Sequence, residues 1–230
     1  MSRAGESASD PLRSLARTIE VLTGSPATRE VMSRFERYLE LLIQWNRAQR
    51  LTGFRSRADM VHGLLEDSLL FLSVLPPRPL RLVDIGAGAG IPGLPLRIVD
   101  SRIALTLIEA KRKRVSFLRA VVRELELEGD VKVIEGRAES VASMIAAEAG
   151  PFDVAVARSV GSIQTLRPLA ERYLVPRGRL ILSGGPARSE GSLRPDPVQN
   201  ELSSGGPNWE VVEFPDLKLG RAFVSIEMCG

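Results

Sequence analysis

Residues 81–93 read Arg-Leu-Val-Asp-Ile-Gly-Ala-Gly-Ala-Gly-Ile-Pro-Gly, and this stretch restricts the fold more than any other. An apolar run ends in Asp84, Gly86, Gly88 and Gly90 follow at alternate positions, and Ile91-Pro92 opens a helical pattern. The implied order is strand, tight loop, helix. Glycine permits unusual dihedrals and close approach of a ligand to the backbone, and a helix N-terminus offers free N–H groups and a positive dipole end. The stretch is therefore predicted to be a cofactor cradle.

Beyond residue 80, short β-branched runs alternate with helical ones. Strands are expected at 80–85, 103–108, 131–135, 153–157 and 179–183, with helices at 92–99, 111–127, 138–148 and 161–173. Such alternation predicts an α/β fold with a mostly parallel sheet covered on both faces. In the helix at 111–127, Val115, Leu118, Val122 and Leu125 form one apolar seam while Arg112, Arg119 and Arg123 project elsewhere. Of the 24 residues from 184 to 207, 13 are Gly, Pro or Ser, which predicts a long irregular loop. Two last strands, 209–214 and 221–228, are expected to pair antiparallel at the sheet edge through a turn around Gly220.

Before residue 80 the pattern is helical. Leu12, Leu15, Ile19 and Leu22 define one short helix, and Val31, Phe35, Tyr38, Leu42 and Trp45 share one face of a stronger one, read as a packing stripe. A loop at 47–57 and a third helix at 58–75 follow, and Pro76, Pro77 and Pro79 then stop the helix. The expected organisation is an N-terminal helical cap, 1–79, ahead of a domain at 80–230.

Hydrophobic content of 44% and charged content of 26% exclude a disordered chain. The net charge is only +3, but the cations are unevenly distributed. Arg47, Arg50, Arg55 and Arg57 occur without an intervening acid, as do six basic residues between Lys111 and Arg123. Two local basic faces point to a polyanionic partner. The single cysteine, Cys229, excludes an intramolecular disulfide framework and a cysteine-based metal cluster, and His62 is the only histidine, so no metal is expected. Neither a signal-like apolar segment nor a stretch of ~18 apolar residues is present, so a cytoplasmic protein without a membrane partner is expected, with a monomer as the working state.

Two cofactor readings fit the loop. Gly88, Gly90 and Gly93 satisfy the dinucleotide pattern, with Glu109 at the end of the next strand as a ribose-binding acid. The competing pattern, Asp84-x-Gly86-x-Gly88-x-Gly90, resembles the first motif of class I S-adenosylmethionine methyltransferases. An acid there suits an ammonium group and is an awkward neighbour for a pyrophosphate. The terminal antiparallel pair also resembles the seven-stranded, Rossmann-like architecture of those enzymes. That resemblance implies that Gly86, Gly88 and Gly90 approach the methionine moiety, that Glu109 accepts from the ribose hydroxyls, and that Ala138 and Glu139 border the adenine.

A closer resemblance covers most of the chain. Asp84-Ile-Gly-Ala-Gly-Ala-Gly-Ile-Pro-Gly-Leu-Pro-Leu, Lys113-Arg114-Val-Ser-Phe-Leu, Glu135-Gly-Arg-Ala-Glu and Ala157-Arg158-Ser-Val resemble motifs of the small-subunit ribosomal RNA methyltransferase G family. Trp45-Asn46, Leu51-Thr52 and Asp67-Ser68-Leu69 resemble its helical N-terminal part. The resemblance implies methyl transfer to guanine N7 in the decoding region of 16S rRNA, with Leu94 beside the cofactor. The residues fit that chemistry: no Asp/Asn-Pro-Pro-aromatic motif for amine methylation follows the fourth strand, and Cys229 is at the wrong end for pyrimidine C5 chemistry. Guanine N7 already has a lone pair, so positioning is the main task and can supply roughly 7–11 kcal/mol.

Arg158, at the C-terminal sheet edge where such folds bind ligands, is the catalytic and cofactor-proximal candidate, gripping a phosphate or guanine O6 and leaving N7 free. Arg47, Arg50, Arg55, Arg57, Lys113, Arg114 and Arg221 are the RNA-binding candidates, with Arg137 as a further RNA or cofactor contact. The chain has Arg50, Leu64, Ser183 and Ala222 where the family typically has Asn, His, Lys and His. Two alternatives therefore stand beside 16S rRNA or the small subunit as substrate: a same-fold methyltransferase with another RNA or small-molecule target, and a non-catalytic RNA- or ribosome-binding protein. A nicotinamide-dependent oxidoreductase is a further one.

Overall fold

The runs rich in β-branched residues become strands β1 (Leu80–Ile85), β2 (Ile103–Glu109), β3 (Val131–Glu135), β4 (Phe152–Arg158), β5 (Leu174–Pro186), β6 (Asn208–Phe214) and β7 (Leu219–Glu227). They form one sheet in the order β3-β2-β1-β4-β5-β7-β6, with β7 antiparallel to both neighbours and the other pairs parallel. The structure is a computed structural model that describes residues 10–158, 162–186 and 208–229. Central β1 is covered on both faces, which is why apolar side chains point to both sides of it, Leu80 and Leu82 to one core and Val83 and Ile85 to the other.

The pleat divides β1 between two cores. Leu82 faces a layer made by α5 (Gly93–Val99) and α6 (Arg112–Glu124), with Leu94, Leu96, Phe117 and Leu118 among its buried residues. Val83 and Ile85 face the opposite layer, made by α7 (Ala138–Ala149) and α8 (Ile163–Ala170). On α6 the alternation of exposed and buried positions follows the seam expected from sequence, and Val115, Leu118 and Val122 are buried.

The N-terminal helices α1 (Pro11–Thr23) and α2 (Arg29–Gln49) begin where side chains satisfy free amides. Asp10 Oδ1 accepts from the Leu12 N–H at 3.1 Å, and Thr28 Oγ1 from the Val31 N–H at 3.2 Å. The stripe on α2 is a packing face: Phe35, Tyr38 and Leu42 are fully buried in the same core as the α5–α6 layer. The ring of Phe117 meets Trp45 edge-on at 5.7 Å and Tyr38 at 6.5 Å. The apolar packing therefore passes without a break from the helices to the sheet.

Several expected boundaries shift. The single helix expected at 58–75 is instead α3 (Arg57–Met60), a π-helical turn (Val61–Glu66), α4 (Asp67–Leu69) and a 3-10 turn (Leu70–Ser73). A π turn resets which side chains face inward, and here Glu66, Asp67 and Ser68 are all buried. Arg47 lies in the last turn of α2, not in a loop; the helix stops at Arg50, which takes a left-handed conformation. The turn expected at Gly220 lies at Pro215–Leu217 with left-handed Lys218, while Gly220 pairs with Glu213 inside β7. The irregular loop expected from residue 184 does not begin there, because β5 runs to Pro186; the rest of that expectation, residues 187–207, lies outside the described residues, as do 159–161 at the expected start of α8.

Phe117 joins the N-terminal helices to α6 and is fully buried. Phe117→Ala is expected to lower the unfolding free energy by about 3–5 kcal/mol, measured by urea denaturation.

Candidate active site

The strand order turns about between β1 and β4, so the connections after these strands leave in opposite directions and open a crevice at their C-terminal ends. Asp84 sits at that end of β1, opposite Val156 of β4, and Arg158 ends β4. The glycine loop fills the crevice. Gly86, Gly88 and Gly90 have φ of 75°, 59° and 85°, values that side chains resist. At Gly90 a Cβ would also lie 2.3 Å from Leu94 Cδ1.

The loop is held from three sides. Gly86 and Ala87 N–H groups donate to Ile108 O of β2 at 2.9 and 3.0 Å. Tyr38 of α2 donates its hydroxyl to Ala89 O. Asp84 Oδ2 accepts from the Gly93 N–H at 2.9 Å, fastening the strand end to the start of α5. Asp84 is fully buried, and burial pushes its carboxyl up to about 7, with the Glu109 charge adding to the rise and the Gly93 bond and Arg158 opposing it. Its Oδ1 is buried without a hydrogen-bond partner.

Glu109, at the end of β2, is also buried. Its Oε2 accepts from the Gly88 N–H at 2.9 Å and its Oε1 from the Lys111 N–H at 2.7 Å. Beside it is a cleft of about 170 Å³ lined by Gly86, Glu109, Arg137, Ala138 and Glu139. Four of the expected cofactor positions thus meet in one cleft. Leu94 does not: it is fully buried beneath Gly90, in the core, because α5 turns its first apolar side chain under the loop.

A larger cleft, about 660 Å³, lies on the side of the N-terminal helices. Its walls include Asn46, Arg47, Arg50, Thr52, Arg55 and Arg114. Asn46 shapes it, accepting from the Thr52 N–H at 2.9 Å and donating to Phe54 O at 3.0 Å. Arg114 connects the two clefts, since its Nη1 is also 3.7 Å from Glu109 Oε2. Of the remaining RNA candidates, Arg57 pairs with Glu36 at 3.6 Å and Lys113 is exposed on α6; neither lines this cleft.

Arg158 and Arg221 are placed differently from the sequence expectation of open ligand contacts. Both are largely buried around Asp67: Arg158 Nη2 is 3.2 Å from Asp67 Oδ2, and Arg221 Nη2 reaches Asp67 Oδ1. Arg158 Nη2 also donates to Gly63 O at 2.8 Å, while Nη1 is buried without a hydrogen-bond partner. Burial lifts the Asp67 carboxyl above its ordinary range despite both guanidiniums, and burial lowers Arg158 despite Asp67. Sequence reasoning assigns no site role to Asp67 or Tyr38. A signal for Asp67 does exist: Glu66-Asp67-Ser68 interrupts an otherwise apolar run from Leu64 to Leu70.

His62 Nδ1 lies 2.7 Å from Glu66 Oε2. Among the described residues, no group of three or more His, Cys, Asp or Glu side chains could hold a metal, and no helix is long and apolar enough to cross a membrane. The donor set does fit S-adenosylmethionine. Asp84 Oδ1 is an unused carboxyl oxygen of the kind an ammonium group would pair with, and Glu109 shares its cleft with Ala138 and Glu139, the residues expected around an adenine.

A glycine loop at the switch point of a seven-stranded sheet, with β7 antiparallel and acids at the ends of β1 and β2, defines a class I S-adenosylmethionine-dependent methyltransferase. The fold is shared with the O-methyltransferase TomG of Streptomyces achromogenes in complex with S-adenosylmethionine, at TM-score 0.58 and 15% identity over 94% of this chain and 96% of that one. It is shared equally with a Bacillus cereus O-methyltransferase in complex with S-adenosylhomocysteine, at TM-score 0.57 and 16% identity over 94% and 99%. The profile of rRNA small subunit methyltransferase G matches residues 31–198, and the chain belongs to that family. It is 39% identical to the ribosomal RNA small subunit methyltransferase G of Chloroflexus aggregans over 70% of this chain and 67% of that one. With the Streptococcus pneumoniae protein of the same name it shares 33% over 80% and 81%.

Asp84 generates a pH dependence. Its carboxyl titrates at 3.8 when unfolded and at about 7 in the fold, so the folded state binds the extra proton between these values and loses stability as pH rises through them. Asp84→Asn lacks this loss. Its stability relative to the parent chain, from urea denaturation of cofactor-free protein, should improve by roughly 2–3 kcal/mol between about pH 5 and pH 8.

Proposed function

We propose that this chain transfers a methyl group from S-adenosylmethionine to N7 of a guanine in 16S rRNA, acting on the small ribosomal subunit as a cytoplasmic monomer. The observation that carries the reading is the adjacency of the two clefts. An acid-lined cleft suited to adenosine lies beside an arginine-lined cleft suited to phosphates, and Arg114 of the larger cleft comes within 3.7 Å of Glu109 in the smaller. Membership of the rRNA small subunit methyltransferase G family supports the same substrate.

When bound, the cofactor supplies an electrophilic methyl on a sulfonium, which guanine N7 accepts with a lone pair it already holds. The chain therefore has no proton to remove from the base, and its residues bind, orient and exclude water. Asp84 Oδ1 is proposed to accept from the ammonium group. Glu109 takes the ribose hydroxyls in place of one or both of its present backbone partners, Gly88 and Lys111. Ala138 and Glu139 border the adenine, and Gly86, Gly88 and Gly90 allow close approach of the methionine moiety.

Arg158 is the proposed catalytic contact. Gly63 O and Asp67 occupy Nη2, which leaves Nη1 to hold a phosphate or guanine O6 without covering N7. Arg47, Arg50, Arg55 and Arg114 are proposed to hold the RNA backbone in the larger cleft. Arg57 and Lys113 extend that field from its margin, and Arg221 acts through Asp67 rather than on RNA directly.

The reaction is tested by incubating the chain and S-adenosylmethionine with small subunits from cells lacking this gene, then mapping N7-methylguanine by borohydride and aniline cleavage. One new cleavage site in 16S rRNA is expected; methylation only elsewhere, or none, overturns the reading. By calorimetry, Glu109→Gln should weaken cofactor binding roughly 10- to 100-fold. Replacing Arg47, Arg50 and Arg55 by Gln should lower the salt slope of RNA binding by about 0.7 for each phosphate no longer neutralised.

A further inference from the structure

We infer that the outward face of α6 is a second RNA-docking surface, continuous with the arginine cleft and made by Arg112, Arg119 and Arg123. The inference rests on RNA being the partner, and names where its backbone runs after leaving the cleft.

On a helix advancing about 100° per residue, positions 112, 116, 119 and 123 align on one stripe about 16 Å long. All four are exposed, and none of the buried residues Val115, Phe117, Leu118, Val121 and Val122 falls on the stripe. The stripe therefore presents three guanidiniums and one hydroxyl, with no apolar side chain. Such a face lacks the aromatic and aliphatic anchors of a protein interface or a membrane-surface helix. A line of planar, permanently charged forks matches phosphodiester oxygens.

Apart from Arg114, which pairs with Glu109, the cations of this segment are also unengaged. Among the described residues Lys111, Arg112, Lys113, Arg119 and Arg123 form no ion pair, although arginines elsewhere on the surface, such as Arg34, do. Acids resume only at Glu124, where the stripe ends. The start of α6 is unfavourable for stability alone: its first turn has no acid and no side-chain cap, and it gathers cations at the positive end of the helix dipole. That arrangement raises the local positive potential where α6 meets the cleft at Arg114. At the other end Arg37 of α2 donates to Glu124 O at 2.8 Å, fixing the helix against the N-terminal part.

The test compares two variants with equal loss of charge. One carries Arg112→Gln, Arg119→Gln and Arg123→Gln; the other carries Arg13→Gln, Arg17→Gln and Arg29→Gln on the exposed surface of α1 and α2. Binding to small ribosomal subunits is measured from low to moderate salt, with thermal melting and cofactor calorimetry as checks on the fold. For the α6 variant the salt slope should fall by about 2 and the Kd rise roughly 10- to 100-fold, with cofactor affinity and kcat at saturating subunit unchanged. The α1–α2 variant should keep the parent slope. An unchanged slope in the α6 variant, equal flattening in both variants, or no binding by the parent chain overturns the inference. Absence of methyl transfer by the parent chain sinks the proposed reaction, and the slope comparison still decides on α6.

Discussion

The hydrogen bond from the Gly93 amide to the Asp84 carboxylate sets the position of everything functional in this protein. It joins the last buried turn of β1 to the first turn of α5, and the three left-handed glycines have to fit between those fixed ends. The geometry has little slack: a Cβ at Gly93 would lie 2.9 Å from Asp84 Oδ2 and equally close to Leu107. A carboxylate buried with only one bond is costly to keep ionised. The proposed ammonium contact would give the unsatisfied oxygen the partner it lacks.

Asp67 is a second buried carboxylate around which distant parts of the chain are fastened. It comes from the short helical segment before β1 and holds guanidiniums from β4 and β7, three parts of the chain far apart in sequence. Removing one partner of such a buried cluster typically costs about 3–5 kcal/mol, because the charges left behind are no longer compensated. The N-terminal helices are thus coupled to the catalytic edge twice, through Asp67 and through Tyr38 on the glycine loop. Their apolar faces belong to the same core as the sheet, so the helices and the site form one mechanical unit.

Much of this is legible in the sequence. Period-two and period-3.6 patterns, the alternation of strands with helices and the spacing from Asp84 to Gly90 lead to the sheet, the loop and the cofactor cleft. Glu109, Ala138 and Glu139 can be found because each lies at or just beyond the end of a strand in a parallel sheet, whose ends converge by construction. The departures have a common origin. Leu94, Arg158 and Arg221 read as open positions from their motif or place in the sequence, but how deeply a side chain is buried depends on what packs around it. The broken helix before β1 reads as continuous because each of its pieces is too short to display a period of its own.

The sequence by itself determined the class of fold, the strand-loop-helix at its centre and the acids that suit the methyl donor, because these depend on local propensity and on short spacings. Only the tertiary structure decided which arginines line a cleft and which are buried against a carboxylate. Arg47, Arg50 and Arg55 come to one cleft with Arg114 of α6, whereas Arg158 and Arg221 are drawn inward by Asp67. All of these side chains look alike in a linear chain. What separates Arg158 and Arg221 from Arg47, Arg50 and Arg55 is that folding brings the buried Asp67 carboxylate within ion-pair distance of the first two, a long-range contact that no local pattern encodes.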